Sequence, residues 1–474
     1  MKKIILSLSL IYMFSMASAQ EWTIVGNTQV TSTEVGDFDM AITDDSIVYV
    51  AFADAKANKR AQTKILKNGT WAYLGPSAGF SGSTSEMFHL KFLPNGNPIL
   101  VFRDINFLTG TRVLQWDISD PSLQWRPYGD QVNGLTGGYT SNIDFVLDNQ
   151  GVPIISLNAN QFNADFEIYQ FDAADVPYKA LDNPSPGGKS LGLYDMTISP
   201  ANELYIAYQD PGFDTAANIN MRQRISVKKR VNDTWILVGQ EGVSYGKATD
   251  ISLEFDSEGT PYLAFYHQYM KDGMFGRGGA VRKFNGTTWE SVGPENFYDG
   301  IVTYLDLAIS PSGTPVVSYI VNSKLEAFAF NGDEWQKVGS NSISQGMALW
   351  PKIKFGEQGT LYAIFKDRAN GDKATVMQYK GNLTTPSTVT SVSNFTPAQS
   401  WNIYPNPTNH LLTLETANSN EKQVHVLDAT GQLIWEGTMN STTMQLDVSK
   451  WKSGLYFIQL LSSQNTVVQS FIKK

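Results

Sequence analysis

The sequence predicts an all-β protein: a seven-bladed β-propeller closed by an N-terminal strand, followed by a small β-sandwich. Two observations lead to this prediction. A short strand that begins with Trp and ends with Gly recurs roughly every 50 residues, a period typical of propeller blades. Beyond the last repeat, shorter segments alternate apolar and polar residues at the strand period. The recurring strands are Trp22–Gly26, Trp71–Gly75, Trp125–Gly129, a degenerate copy at Tyr178, Trp235–Gly239, Trp289–Gly293 and Trp335–Gly339.

The composition suits packed β-sheet domains and argues against nucleic acid as a partner. The 474 residues are 42% hydrophobic and carry a net charge of -9, with no block of Lys or Arg. The chain has no cysteine, which excludes disulfides, thiol catalysis and the lipidated cysteine of a bacterial lipoprotein. We therefore expect its stability to come from packing alone.

Residues 1–19 have the three parts of a secretory signal peptide. Lys2 and Lys3 precede an apolar run that ends near Met16, and Ala19 completes a small-residue cleavage motif before Gln20. The apolar run is shorter than the roughly 20 residues that a membrane span needs, so we favour cleavage over a transmembrane anchor. The prediction is an exported protein whose mature part begins at Gln20.

Each repeat is interpreted as four antiparallel strands. In one repeat the turn Ser257–Pro261 leads into the second strand Tyr262–Tyr266, and the third strand Ala280–Phe284 turns at Asn285-Gly286 into the Trp strand. Asn-Gly supplies the positive φ angles of a tight hairpin, and Gly or Pro marks the first turn. A four-stranded meander of this kind is a propeller blade.

The two ends of the repeat region complement each other. Seven inner strands start near residues 38, 88, 143, 194, 251, 304 and 350. The last repeat, which ends at 376–382, has no Trp strand after it, whereas Trp22–Gly26 has no blade before it. We predict that the segments around Trp22 and Met377 pair and close the ring, because closure covers two sheet edges. An open array of sheets or a pair of β-sandwiches is the alternative, and in either case the repeated Trp residues are interpreted as blade packing.

Two columns of residues align across the seven repeats. One column lies at the start of the inner strand, and the other lies 15 residues later, at the end of the second strand. We expect this constant offset to bring the columns together at one end of each blade, beside the central channel. The first column is Asp39, His89, Asp144, Asp195, Ser252, Asp306 and Lys352. The second column is Asp54, Asp104, Ala159, Asp210, His267, Val321 and Asp367.

The alignment predicts neighbours and a candidate ligand site. The expected pairs are Asp39 with Asp54, Asp195 with Asp210, His89 with Asp104, and Lys352 with Asp367. The candidate ligand-binding residues are Asp39, Asp54, His89, Asp104, Asp144, Asp195, Asp210, His267, Asp306, Lys352 and Asp367. Nearby aromatic residues, among them Tyr266, Tyr269 and Trp350, could stack on sugar rings, and core packing explains each of them equally well. The alternative interpretation is that the Asp side chains accept backbone N–H bonds and hold neighbouring blades together.

The C-terminal part of the chain is predicted to be a separate module. Residues 383–400 are rich in Thr and Ser without a periodic apolar face, which is typical of a linker. Residues 401–474 contain short alternating segments with turn residues between them, which predicts a small β-sandwich. The predicted organisation is therefore a signal peptide at 1–19, a propeller at 20–382, a linker at 383–400 and the C-terminal module at 401–474.

Four motifs in this module, in order, resemble the C-terminal sorting domain of the type IX (Por) secretion system of Bacteroidetes: Tyr404-Pro-Asn-Pro407, Leu427–Ile434, Leu446–Ser449 with Ser453–Ile458, and the ending Phe471–Lys474. The resemblance implies an Ig-like sandwich that the outer-membrane translocon reads and a sortase removes at the surface. The sorting residues it implies are Pro405, Asn406, Pro407, Gly431, Gly454, Lys473 and Lys474. It also implies passage through the periplasm to the outer-membrane surface or the medium, and a generic Ig-like adhesion module is the alternative.

Two functional classes remain open from the sequence. A non-catalytic binding or adhesion module would hold an extracellular glycan or protein on the propeller, whereas a glycoside hydrolase or lyase would use the Asp rim. We favour binding, because no nucleophile, base and orienting group converge in the sequence pattern. No cofactor is expected, and calcium at the acidic rim would lack a recognisable motif.

Overall fold

The computed structural model describes residues 21–105, 110–119, 124–128, 140–159, 165–172, 176–184, 193–210, 212, 223–271, 274–298, 301–381, 383, 402–416, 422–428, 433–461 and 466–474. The chain divides into two compact units, Met1–Pro386 and Ser387–Lys474. The predicted signal peptide with Ala19, the predicted mature start Gln20 and linker residues 384–400 lie outside the described residues. Within the described residues, no helix is long and apolar enough to cross a membrane.

The first unit begins with the short strand β1 (Trp22–Ile24), and four-stranded antiparallel sheets follow in chain order. The first sheet contains β2 (Val35–Ile42), β3 (Val48–Asp54), β4 (Ala61–Lys67) and β5 (Thr70–Tyr73). The second contains β6 (Ser85–Phe92), β7 (Pro98–Asp104), β8 (Thr111–Trp116) and β9 (Trp125–Pro127). The third contains β10 (Thr140–Leu147), β11 (Pro153–Ala159), β12 (Asp165–Asp172) and β13 (Val176–Leu181).

The remaining sheets repeat this pattern. The fourth contains β14 (Tyr194–Ile198), β15 (Leu204–Gln209), β16 (Ile225–Val231) and β17 (Thr234–Leu237). The fifth contains β18 (Lys247–Phe255), β19 (Pro261–Lys271), β20 (Met274–Phe284) and β21 (Trp289–Ser291). The sixth contains β22 (Thr303–Ile309), β23 (Pro315–Val321), β24 (Lys324–Phe330) and β25 (Trp335–Lys337). The seventh contains β26 (Ala348–Phe355), β27 (Leu361–Asp367) and β28 (Lys373–Tyr379), together with β1.

The seven sheets form a closed ring. Each inner strand contacts the inner strand of the next sheet, and the contact between β26 and β2 completes the cycle. Buried apolar residues of adjacent sheets share common cores, as a stack of blades requires. The described residues of the first unit therefore form a β-propeller around a central channel.

The N-terminal strand closes the last blade, as the sequence predicts. In the antiparallel pair β1–β28, Trp22 lies opposite Tyr379 and Ile24 lies opposite Met377. This pairing supplies the Trp strand that the last repeat lacks. Because both strands would otherwise present unpaired backbone groups, the closure satisfies two edges at once.

The repeated Trp residues connect neighbouring blades at the periphery, and we call this set of contacts the outer ring. In the fifth blade the Trp289 indole N–H donates to the Val238 carbonyl of the fourth blade at 2.8 Å. Gly239 follows Val238 with a φ of +79°, and a Cβ on it would lie 2.9 Å from the Trp289 ring. The same bond joins Trp22 to Val338, Trp125 to Leu74, Trp235 to Asp182 and Trp335 to Val292. The Trp and Gly of the repeat are thus two halves of one contact.

The second unit is a β-sandwich. One sheet contains β29 (Asn402–Tyr404), β30 (Leu411–Glu415) and β33 (Thr443–Asp447). The other contains β31 (Lys422–Asp428), β32 (Leu433–Met439), β34 (Gly454–Leu461) and β35 (Thr466–Lys473), with β32 and β35 at its edges. Buried residues of both sheets, such as Leu412, Val426 and Phe471, share one core.

Candidate functional site

The first predicted column forms a ring of contacts between blades around the channel, which we call the inner ring. A side-chain oxygen in one blade accepts the backbone N–H next to the equivalent position of the following blade. These bonds run from Leu90 to Asp39 (2.8 Å), Met196 to Asp144 (2.6 Å), Leu253 to Asp195 (2.6 Å), Leu307 to Ser252 (3.2 Å) and Ile353 to Asp306 (2.7 Å). This is the arrangement that the alternative, blade-locking interpretation expects, and the ligand-binding role of these residues stays a prediction.

Two members of the inner ring make different bonds. His89 Nε2 lies 2.9 Å from the Ile143 carbonyl of the third blade. Lys352 Nζ donates to Asp39 Oδ1 at 3.1 Å, which links the seventh blade to the first. The inner ring is therefore continuous around the channel, although its members differ in charge.

The prediction that the two columns adjoin was wrong. Asp39 lies opposite Ala51 and Asp54 lies opposite Val35, so the carboxylates are separated along the hairpin. The other expected pairs are also displaced: His89 lies opposite Val101, Asp104 opposite Ser85, Asp195 opposite Ala207, Lys352 opposite Ile364 and Asp367 opposite Ala348. A constant offset shows only that the hairpins have equal length, whereas the centre of the turn decides which residues face each other.

The second column holds loops instead. Asp54 Oδ1 accepts the N–H of Ala57 at 3.1 Å and so caps a short 3-10 turn. Asp104 accepts the N–H of Gly82 at 3.1 Å, and Asp367 accepts that of Ala369 at 3.1 Å. The Gly212 N–H likewise donates to Asp210 at 2.8 Å. Asp54, Asp210 and Asp367 thus fix the loops that follow their second strands, whereas Asp104 fixes the segment before its inner strand.

His267 is fully buried and lies opposite Ala248. Its Nε2 lies 2.8 Å from Asn296 Oδ1, and Tyr245 stacks on its ring. Burial lowers the pKa of His267 to about 4. His267 is thus a neutral packing residue at neutral pH.

The channel is a cavity of about 660 Å³. Inner-ring residues line it, and a second tier lies two residues further along the inner strands, where the alternation of a strand returns to the same face. The charged members of this tier are Lys91, Glu254 and Lys354. Sequence reasoning missed these three residues, although a search at period two from the first column would have found them.

The cationic residues of the channel lie on blades two and seven, on either side of Asp39. Lys352 and Lys354 both donate to the Asp39 carboxylate, at 3.1 and 3.3 Å. Although burial raises the pKa of Asp39, the two lysines hold it well below its usual range. Burial lowers the pKa of His89 to about 4, with Lys352 adding to the shift, so His89 is neutral at neutral pH.

The opposite part of the channel wall, on blades three to six, is acidic. Its carboxylates belong to Asp144, Asp195, Glu254 and Asp306. Burial raises the pKa of Asp195 well above its usual range, and the charge of Asp144 adds to this shift. Burial also raises the pKa of Glu254 to about 7, although Lys91 opposes the shift. Glu254 is enclosed by the channel wall, which disfavours its charged form, but its side chain is accessible from the channel itself.

The channel mouth at the start of the inner strands has an unusual backbone. In four blades, the residue two positions before the inner-ring residue in the sequence has a positive φ although it is not glycine. We call these four the bulge residues: Met87 (57°), Asp250 (51°), Tyr304 (55°) and Trp350 (52°). Each coincides with a register shift between the first and second strands. Such a conformation costs on the order of 1–3 kcal/mol for a residue with a side chain.

Two bulge residues present aromatic surface at the mouth. Tyr304 is 37% exposed and Trp350 is 40% exposed. Lys366 Nζ lies 5.3 Å from the centre of the Trp350 ring and also binds Glu34, which holds the indole in place. Tyr266 is buried, so the prediction that it could stack on a sugar was wrong. The side chain of Tyr269 lies outside what the structure describes.

The opposite mouth is made of tight turns between the first and second strands. Their polar side chains are occupied by their own backbone: Asp148 accepts the N–H of Val152 at 2.7 Å, and Ser310 that of Thr314 at 2.9 Å. Among the described residues, no group of three His, Asp or Glu side chains could hold a metal ion. Because polar side chains at the turns bond to their own backbone, the bulge-residue mouth is the better candidate for a ligand.

In the second unit, six of the seven predicted sorting residues converge at one corner. Asn406 Nδ2 donates to the Ser470 carbonyl at 3.1 Å, and its Oδ1 accepts the N–H of Ile472 at 3.0 Å. Gly454 lies opposite Lys473 in the pair β34–β35. The converging residues are Pro405, Asn406, Pro407, Gly454, Lys473 and Lys474, and Gly431 lies outside the described residues.

The same segment matches a known family. Residues 402–474 match the family model described as the secretion system C-terminal sorting domain. The second unit is a type IX secretion sorting domain. The sorting domain implies interaction with that secretion system and export to the cell surface or the extracellular space.

Several solved structures are similar to the chain at low identity. PorZ, a surface component of the type IX secretion system of Porphyromonas gingivalis, is 13% identical with a TM-score of 0.42; the match covers 92% of this chain but 59% of PorZ. An ulvan lyase of polysaccharide lyase family PL25 is 11% identical with a TM-score of 0.46, over 76% of this chain and 94% of the lyase. The α-L-arabinanase of Penicillium chrysogenum is 11% identical with a TM-score of 0.40, over 61% and 91%. No curated protein sequence gives a significant match.

Proposed function

We propose that the propeller is a non-catalytic binding module that holds a glycan at the channel mouth formed by the bulge residues. The observation that carries this proposal is the left-handed backbone at Tyr304 and Trp350, whose side chains are exposed there. Glycine would adopt this conformation without strain, so the aromatic side chains need another reason to be present. Strained backbone of this kind is concentrated at binding sites.

The chemistry of the mouth suits a sugar. The face of an indole or phenol ring packs against the apolar C–H face of a sugar ring. Asp250 lies beside Tyr304, since its Oδ1 accepts the Tyr304 N–H at 2.9 Å. The other oxygen, Oδ2, accepts the Thr249 hydroxyl at 2.9 Å and keeps a further lone pair for a sugar hydroxyl. Attachment of this module to a type IX sorting domain accounts for its delivery to an extracellular ligand.

A second function, glycoside cleavage, is favoured by one observation. Glu254 combines a pKa of about 7 with exposure to the channel, which are the properties of a general acid at neutral pH. Asp144 and Asp306 line the same cavity and could act as the partner carboxylate. Under this alternative, the parent protein cleaves a glycan and Glu254→Gln abolishes cleavage. A non-catalytic binding module shows no cleavage with either protein.

The binding proposal is tested with the purified protein on a glycan array, followed by calorimetry with the best glycan. We expect Trp350→Ala and Tyr304→Ala each to weaken binding by about two- to tenfold, since one aromatic stack contributes about 0.5–1.5 kcal/mol. Trp350→Phe should retain most of the affinity. Ile118→Ala is the matched control, because Ile118 is exposed but lies in a hairpin turn away from the channel lining. The absence of glycan binding, or equal binding by all variants, contradicts the proposal.

A further inference from the structure

The sorting domain carries an exposed apolar pair that its own core does not use. Leu455 and Ile472 lie directly opposite each other in β34–β35 and are 42% and 49% exposed. Their strand neighbours Tyr456 and Phe471 point the other way and stack in the core. Leu455 and Ile472 therefore form one apolar spot on the outer face of the sheet.

Residues 404–408, which contain the Tyr-Pro-Asn-Pro motif and which we call the motif segment, bond both backbone groups of Ile472. The Ile472 N–H donates to Asn406 Oδ1 at 3.0 Å, and the Ile472 carbonyl accepts the N–H of Thr408 at 2.9 Å. The Lys474 N–H then donates to the Thr408 carbonyl at 2.9 Å. The Asn406 side chain thus takes the place of a neighbouring strand along the edge of β35, and it fixes the orientation of Ile472.

We propose that Leu455 and Ile472 form the surface that a protein of the type IX secretion machinery binds, and that Asn406 is a positioning residue for it. The domain's role as a sorting signal requires such a partner. The motif segment makes its hydrogen bonds with Ser470, Ile472 and Lys474, alternate residues whose side chains are exposed. Ile472 is the apolar member of the three. The partner's matching chemistry is an apolar cleft with acidic groups beside it, because Lys452 and Lys474 are exposed next to the pair in the chain.

A control for added surface charge lies in the propeller, outside the sorting motifs. Ile236 and Leu237 on β17 are 42% and 38% exposed, and neither lines the channel. Substituting either pair changes two exposed apolar residues to charged ones. A general effect of surface charge on export would therefore appear in both variants.

The test is export of the full chain from a bacterium with an active type IX system, measured as the ratio of surface and medium protein to periplasmic protein. We expect Leu455→Asp with Ile472→Asp to lower export at least about tenfold, since two apolar side chains no longer bury against the partner and two charges take their place. Ile236→Asp with Leu237→Asp should export normally, as should Leu455→Val with Ile472→Val. Normal export of the first variant, or equal failure of both aspartate variants, overturns the proposal.

Stability and hydrogen exchange separate recognition from folding. The purified aspartate variants should unfold at the same temperature as the parent. A lower melting temperature for Leu455→Asp with Ile472→Asp alone would show that the pair makes a contact within the chain, and it would overturn the proposal. Asn406→Ala should lower export while the Ile472 amide exchanges faster, because its acceptor is gone. Unchanged exchange at Ile472, or unchanged export with faster exchange, removes Asn406 from this role.

Discussion

The inner and outer rings of the propeller both join neighbouring blades, but they use opposite chemistry. In the outer ring, a neutral indole N–H such as that of Trp289 donates to a backbone carbonyl, and the ring packs on a glycine. In the inner ring, charged or polar side chains such as Asp39 accept backbone N–H groups beside a solvent-filled channel. The outer position is Trp in six of the seven repeats, whereas the inner ring combines Asp, His, Ser and Lys.

This difference shows which ring is free to vary. An outer contact requires an indole on one blade and a glycine on the next, because the indole fills the space that a Cβ on Gly239 would occupy. An inner contact needs only an acceptor for one N–H, which Asp195 and Ser252 both supply. Charge can therefore change from blade to blade in the inner ring without loss of closure. That freedom leaves one side of the channel acidic and the other rich in lysine.

The largest expected effect is in the outer ring. Trp289→Ala should lower the free energy of unfolding by about 3–5 kcal/mol, because it leaves a large buried cavity and an unpaired Val238 carbonyl. Urea denaturation at pH 7 measures this loss. Trp350→Ala is the control, since that indole is 40% exposed. This substitution should lower the free energy of unfolding by less than about 1 kcal/mol. Similar losses for the two variants would erase the proposed distinction between packing and mouth tryptophans.

A smaller effect is expected at the charged part of the inner ring. Asp39→Ala should cost about 2 kcal/mol at pH 7, because it leaves Lys352 and Lys354 without their shared carboxylate while channel water still reaches both amines. The pKa of Asp39 is lowered by folding, so its contribution is present above its unfolded pKa near 4 and is lost as the pH falls below it. A double-mutant cycle with Lys352→Met should give a coupling energy that shrinks toward pH 3. No coupling at pH 7 would show that the ion pair adds nothing to the N–H bonds.

Two opposing pH dependences are expected across the channel. The pKa of His89 is about 4 when folded, against roughly 6.5 unfolded, so His89 makes stability fall as the pH drops from about 6.5 to 4. The pKa of Glu254 is about 7 when folded, against roughly 4.3 unfolded, so Glu254 makes stability fall as the pH rises between those values. The melting temperature, plotted against pH from 4 to 8, should change its slope in opposite directions for His89→Gln and Glu254→Gln. Parallel curves would remove the distinction between the two sides.

The fold was accessible from sequence because its signals are local. The Trp and Gly of each repeat stand at the ends of one short strand, and Asn-Gly turns separate neighbouring strands. The pairing of Trp22 with Tyr379 followed from one unmatched strand at each end of the repeats. The convergence of Asn406 with the end of the chain had no local signal, because the bonding partners are more than 60 residues apart.

The candidate site was only partly accessible. The Asp columns were visible as a repeat, but their partners were misplaced because register depends on where each turn is centred. The bulge residues carried no signature, since Met87, Tyr304 and Trp350 are not the Gly or Asn that positive φ usually selects. Lys91 and Glu254 were missed because each is an ordinary charged residue until the ring brings it to the channel.

The sequence by itself determined the number and order of the strands, the closing pair and the sorting module, because periodicity, turn residues and motifs act over short stretches of chain. Only the tertiary structure decided which side chains line the channel, which carboxylates are held ionised by Lys352 and Lys354, and which aromatic residues are exposed at the mouth. The physical reason is that burial and charge coupling depend on neighbours from other blades, and these are set by the closing of the ring.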